Sequence, residues 1–393
     1  MLDANALWLL PSLEHPVFRS YADFFGSLFR HFQVIDYRAA YLDAGAAELE
    51  RRIQATVGAL APRLLIYSQF PGSYAYISPD FLERLREGRF VVGLGFDDEI
   101  YFDQAKYFYQ ACSAVITSDI AGAEWLNEVG IPAYTAVTAW LKHSETKAKA
   151  EEDIPVSFVG DLRKPGRQEF IRHLEARGIE VADFGAGSRN GPLDHTGVID
   201  VFRRSKINLN FTGTNPPQWI LRHDPQRAQA KQIKGRPFEL AAIGRFCLTE
   251  WASCVDHWFR PGVDIGVFRD QNDLVQQVRR YLGDDVLRRT ISSSAHQRYR
   301  TELAPEVQFT RIFSRILSVS REPVRDAPVA EGGPIFYESM GRSRGVAFLH
   351  ALRRGSPIRA LREIFMKWSG HIEYWRGFAE AVMDTIANRL PRT

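Results

Sequence analysis

Residues Lys231 to Glu250 read KQIKGRPFELAAIGRFCLTE, and the order of cations, proline, carboxylate, glycine and apolar run in this stretch decides how the chain is read. Pro237 suits the first turn of a helix and Gly244 suits its end. Phe246 to Thr249 then reads as a short buried strand. Lys234 and Arg236 stand just ahead of that helix, and Glu239 is expected in its first turn. A helix N-terminus flanked by Lys or Arg offers donors and positive charge to a diphosphate. A carboxylate can accept two hydrogen bonds from a ribose diol. The segment is therefore a candidate seat for a sugar nucleotide. The plainer reading makes Glu239 a favourable charge against the helix dipole, or half of a capping box. Arg236, which precedes Pro237, is a poor partner for such a box.

Working outward, Arg203 to Arg236 carries eight basic residues (Arg203, Arg204, Lys206, Arg222, Arg227, Lys231, Lys234 and Arg236) against one acid, Asp224. A local surplus of this kind invites an anion. The motif KGRPFELAAIGRFCLT resembles the C-terminal nucleotide-sugar motif of glycosyltransferases with the two-domain GT-B fold, and is most similar to the group related to spore-maturation glycosyltransferases. VSFVGDLRKPGRQEFIRHLEARGIEV from Val156, SKINLNFTG from Ser205 and PGVDIGVFRDQNDL from Pro261 fit the same likeness. It covers roughly residues 156 to 317, with only FDDE and the general layout before that and nothing after about residue 325. It implies a hexosyltransferase-like enzyme of the glycosyl transferase group 1 kind. In retaining relatives two glutamates separated by seven residues face the donor. Glu239 matches the second, ribose-binding one, while the first falls at Lys231, which leaves the stereochemical outcome open.

The rest of the chain is consistent with an α/β enzyme of two Rossmann-like domains facing across a cleft, plus a helical basic tail. At 393 residues there is length for two ordinary cores. A formal charge of +3 argues against a nucleic-acid binder by composition. Cys112, Cys247 and Cys254 form no close-spaced metal pair and leave an odd thiol, which fits a reducing cytoplasm. The start MLDANALWLLPSLEH lacks the pattern of a secretion signal. A lipid-linked acceptor would thus be reached from the inner face of the membrane.

Strands are expected at Ala6–Leu10, Gln33–Tyr37, Arg63–Ser68, Phe90–Phe96, Ala114–Ser118 and Ala133–Val137 in an N-terminal acceptor-side domain, 1–142. The polar run at 143–155 reads as a linker. A second series at Val156–Val159, Glu180–Phe184, Ile207–Phe211, Phe246–Thr249 and Ile265–Phe268 builds the nucleotide-sugar domain, 156–317. The long connection from Phe211 to Ala230 reads as a lid or donor-binding loop. Residues 318–333 form a Pro/Gly-rich link, and 334–393 a helical tail. In the tail Ile358, Leu361, Phe365 and Trp368 follow helical spacing, amid ten basic residues and four acids from Arg342 onward. That stripe is expected to pack on the protein or on another subunit. An anionic membrane is the alternative.

For the chemistry, Gly160 lets backbone approach the donor after the strand ending at Val159, and the resemblance places Arg163 and Lys164 at its phosphates. Asp97 and Asp98 emerge from the strand FVVGLGF and are candidates for the base that takes the acceptor proton, with the spacing not deciding between them. The pair also reads as a helix cap, an ion-pair partner or a divalent metal site. The nearby cations make a metal unnecessary, and no cofactor is expected beyond the donor itself. His15, His195 and His223 show no metal spacing and are weaker candidates. Competing readings are a nucleotide-sugar epimerase or hydrolase on the same scaffold and a non-catalytic binding module. A dehydrogenase is disfavoured because Asp98 stands where the third glycine of GLGFDD should be.

Overall fold

The structure is a computed structural model that describes residues 1–69, 75–137, 151–319, 332–365 and 367–387. The expected links at 143–155 and 318–333 lie largely outside these residues. Contacts divide the chain into two compact units, Met1–Ala136 with Pro217–Pro225 and Thr310–Thr393, and Val137–Pro216 with Gln226–Phe309.

Unit 1 is built on β1 (Leu2–Leu10), β2 (Phe29–Asp36), β3 (Leu64–Ser68), β4 (Phe90–Leu94), β5 (Ala114–Thr117) and β6 (Ala133–Thr135). All pairings are parallel, in the order β2-β1-β3-β4-β5-β6. The strands LLIYS and FVVGL are buried at every position, as a sheet covered on both faces requires. Unit 2 carries β7 (Ile154–Val159), β8 (Ala182–Phe184), β9 (Ser205–Asn210), β10 (Cys247–Glu250) and β11 (Gly266–Phe268) in the order β11-β10-β9-β7-β8, again all parallel. Every expected strand is present, with ends displaced by a few residues. The order reverses on either side of β7, so the space beyond the ends of β7 and β9 is the switch point where such sheets bind ligands.

The tail is not an appendage. Its helices Pro334–Arg353 and Ile372–Ala387 belong to unit 1, and Phe336, Tyr337, Met340, Ala347 and Tyr374 enter the same core as Leu7, Tyr67 and Phe108. The two helices meet backbone to backbone. A Cβ on Gly341 would lie 1.9 Å from the carbonyl oxygen of Tyr374, and one on Gly377 would lie 2.1 Å from that of Glu338. Alanine gains about 1 kcal/mol over glycine in a helix, but here the clash is with main chain and cannot be relieved by a rotamer. Gly341→Ala should lower the stability of unit 1 by about 1 to 3 kcal/mol. Gly58→Ala, inside the helix Ala46–Leu60 with nothing within 4 Å, should raise it. Denaturant midpoints of the two variants moving in the same direction would contradict this packing.

Candidate active site

At the ends of the unit 2 strands, the helix of the opening stretch runs from Gly235 to Ala242 with Lys234 as its N-cap residue. It starts two residues before Pro237, so Glu239 lies in the second turn and not, as expected, in the first. Proline's fixed φ suits any position of the first turn, which is why its presence did not fix the start. The N–H groups of Gly235 and Arg236 open the helix, and Lys234 presents no side-chain cap bond. Gly244 closes it with φ of +65°, as read.

Arg236 and Glu239 come together. One guanidinium nitrogen donates to Glu239 Oε2 at 2.7 Å and another to the carbonyl oxygen of Val159, the last residue of β7, at 3.3 Å. The guanidinium also lies 4.5 Å from the ring centroid of Phe202. Gly160 follows directly, and a Cβ there would lie 2.8 Å from the Phe158 ring. Gly185 abuts it so closely that its own Cβ would stand 2.1 Å from the Gly160 carbonyl oxygen, at φ of +116°. Arg163 is exposed and donates bidentately to Asp161 at 2.9 Å. Hydrogen bonding from Arg163 depresses the Asp161 carboxyl to about 2. Lys164 shares this turn, and its charge also lowers Asp161.

Two groups here escaped the sequence reading. Arg167, the first residue of the helix Arg167–Glu175, is buried and donates to the carbonyl oxygens of Asp161 at 3.2 Å, Phe211 at 3.4 Å and Gly213 at 3.3 Å. It ties the turn after β7 to the turn after β9 across the switch point. Burial lowers its pKa, while Asp161 and Glu250 oppose that shift. Glu250, buried at the end of β10, accepts from the N–H and hydroxyl of Thr212 at 2.9 and 3.0 Å and pairs with Lys231 Nζ at 2.8 Å. Gly213 bridges Lys231 antiparallel, so the two ends of the long 211–230 connection are joined. Three of the eight cations are answered by acids distant in sequence: Arg204 by Asp153, Arg222 by Glu338 and Glu380, Lys231 by Glu250.

The middle of that connection is not a lid. Trp219 and Ile220 are buried against Ile335 within unit 1, beside Tyr101. His223 Nε2 meets the buried Glu338 at 2.7 Å. Apolar residues at 219 and 220 within a polar loop were the signal that could have revealed an anchor. His195 opens the helix His195–Arg204.

In unit 1 the paired acids separate. Asp97 is partly buried at the N-cap of the helix Asp98–Tyr109, in the left-handed region at φ of 57°. Asp98 points inward, accepting from the Tyr109 hydroxyl at 2.8 and 2.9 Å and the Thr117 hydroxyl at 2.5 Å. A Cβ on Gly95 would overlap its carboxylate. Burial pushes the Asp98 carboxyl up to about 7 against the two hydroxyls, and burial pushes partly buried Glu99 to about 8. Glu99, which accepts from Ser118 at 3.2 Å, was not singled out from the sequence. A carboxyl whose folded pKa is raised contributes stability fully below its ordinary value near 4 and loses it as pH climbs through the folded value. Unit 1 should therefore weaken from about pH 4 to pH 8. Denaturant midpoints of Asp98→Asn with Glu99→Gln should be flatter over that window, and an unchanged slope would contradict the burial of these groups. Among the described residues, no group of three or more His, Cys, Asp or Glu is placed to hold a metal ion.

Residues 163–313 match the family model described as glycosyl transferase-like. Over that stretch the chain is similar to this family, and its two units have the fold of GT-B proteins. No curated protein matches the sequence. Among solved structures, sucrose-phosphate synthase from Thermosynechococcus elongatus is similar at a TM-score of 0.55 and 10% identity, over 80% of this chain and 100% of that one. Anabaena HepE in complex with UDP-glucose reaches 0.52 at 12% identity, over 80% and 100%. A glycosyltransferase from Rickettsia africae reaches 0.53 at 10% identity, over 81% and 100%. At these identities the likeness concerns the fold.

Proposed function

We propose that this chain is a glycosyltransferase that moves a sugar from a nucleotide-sugar donor to an acceptor, with the donor seated at the strand ends of unit 2. The observation that carries this reading is Arg236, held at the switch point between Glu239 and the end of β7. Its guanidinium and the Glu239 carboxylate pair at 2.7 Å. A nucleoside diphosphate satisfies both separately, phosphate on the cation and ribose diol on the carboxylate. Anabaena HepE has been solved with UDP-glucose and with UDP, which supports a ligand of this class here. Lys234 and the opening N–H groups of the helix add donors to the same phosphates. Gly160 permits close approach of the turn after β7, with Arg163 and Lys164 at its outer rim. Arg167 and Glu250 hold the surrounding turns in place.

The reaction then needs the diphosphate charge stabilised as it leaves and, for an inverting course, a base for the acceptor proton. Lys234 and Arg236 supply the first, so no step of this reading needs a metal. Asp97 supplies the second, while Asp98 and its hydroxyl partners fix the turn that carries it. The setting proposed is cytoplasmic, and the acceptor class is a glycan, lipid-linked, protein or small-molecule hydroxyl.

Lys234→Ala and Arg236→Ala should each weaken a nucleoside diphosphate by roughly tenfold or more, in the range of a charge-assisted hydrogen bond, and the corresponding nucleoside far less. Calorimetric titration of both ligands tests this. Equal losses for the two would mean that these side chains shape the pocket without binding phosphate.

A further inference from the structure

The short tail helix Pro357–Ile364 is built the wrong way round for a helix of a folded interior. Its buried residues are Ala360 and Glu363. Glu363 accepts from the Tyr41 hydroxyl at 2.6 Å and pairs with buried Arg344 at 3.5 Å. Arg359 turns the same way, donating to the carbonyl oxygens of Leu42 at 2.8 Å and Asp43 at 2.6 Å. With its polar side pinned inward, the helix displays Ile358, Leu361 and, at its C-cap, Phe365, which are 71%, 55% and 76% exposed. Of the expected packing on the protein or on another subunit, the first holds only for Trp368. The reason is that one buried carboxylate with two arginines outweighs the apolar pattern in orienting two turns of helix.

The outward charges that the tail segment itself carries here have one sign. Between residues 352 and 367 the chain carries Arg353, Arg354, Arg359, Arg362 and Lys367 against the single acid Glu363, which faces inward. Arg353 and Arg362 are exposed, with no ion-pair partner among the described residues, and Arg354 and Lys367 reach only the exposed Asp43 and Asp80. Beside the helix lies a cleft of about 900 Å³ lined by Ala44, Gly45, Ser356, Ile358 and Phe365. Apolar side chains projecting from a collar of cations are what an anionic bilayer surface accepts, the apolar groups entering the acyl boundary and the cations meeting lipid phosphates. A second copy of the chain fits poorly, because a two-fold contact would set this cationic collar against itself.

We propose that this face is a membrane-docking surface, with Ile358, Leu361 and Phe365 as the inserted residues and Arg353 and Arg362 as contacts to anionic lipid. It goes beyond the transferase reading and is independent of the donor residues. No helix among the described residues is long and apolar enough to cross a membrane, so the attachment is peripheral.

The full chain should co-sediment with phosphatidylcholine vesicles containing about one third phosphatidylglycerol and not with phosphatidylcholine alone, and the binding should fall with salt. Arg353→Gln with Arg362→Gln should lower partitioning about thirtyfold. Replacing Ile358, Leu361 and Phe365 with Ser should lower it roughly a hundredfold. Phe365→Ser alone serves if the triple variant folds poorly, and Val286→Ser, at a 75% exposed apolar site of unit 2, should change nothing. Absence of binding to anionic vesicles, or equal binding by the folded variants, would overturn the proposal. So would a concentration-dependent dimer lost on the Ser substitutions with no vesicle binding in the parent.

Discussion

Asp97→Asn is expected to lower turnover by roughly two to four powers of ten while leaving donor binding nearly unchanged, the signature of a lost proton acceptor. The substitution is a clean one. Asn tolerates the left-handed conformation that this position holds at φ of 57° as well as Asp does, so the turn at the end of β4 survives. Strain at such a point costs about 1 kcal/mol or more and persists where the surroundings enforce it. Here Asp98 enforces it, anchored by Thr117 and Tyr109. Asp98→Asn should accordingly alter stability more than rate. Rates of both single variants and the double variant, with a confirmed donor and acceptor, separate the roles. Near-normal turnover in all three would remove the pair from the chemistry. The next group to test would be His15, which caps the helix following β1.

Glu239→Gln should weaken nucleoside diphosphate binding by about 1.5 to 3 kcal/mol, or roughly ten- to a hundredfold. An amide still fits the helix, so the loss reports the ribose contact. Releasing Arg236 from its ion pair at 2.7 Å improves its answer to phosphate and offsets part of the loss, which makes sugar-modified ligands the sharper readout. Wild-type protein should lose affinity when the ribose diol is replaced by a deoxyribose, and the Gln variant should not. A variant that discriminates deoxyribose as strongly as wild type would show that Glu239 serves only to pair Arg236.

Much of this arrangement was legible in the sequence because it is written locally. Parallel strands buried on both faces are short apolar runs, and all eleven stand where those runs are. The KGRPFE stretch announced its cations and carboxylate, and Arg236 does meet Glu239. What was not legible depends on partners far away in the chain. Arg167 looks like any solvated helix residue until the carbonyls of residues 211 and 213 close over it. Asp97 and Asp98 are adjacent and alike in sequence; only Thr117 and Tyr109 distinguish them. The lid reading of the 211–230 loop failed because Glu338, more than a hundred residues on, anchors Arg222 and His223. That the tail stripe faces away from this chain was not legible, because Glu363, whose buried pairing with Arg344 the pattern does not show, decides which way the helix faces.

The most direct test of the account is a crystal structure of the chain soaked with nucleoside diphosphates. The account predicts the diphosphate at the N-terminus of the Gly235–Ala242 helix, bonded by the side chains of Lys234 and Arg236, with both ribose hydroxyls on Glu239 and the Arg236–Glu239 ion pair opened. A nucleotide bound elsewhere on unit 2, or one seated there with Arg236 still paired to Glu239 and the ribose facing away, would contradict it.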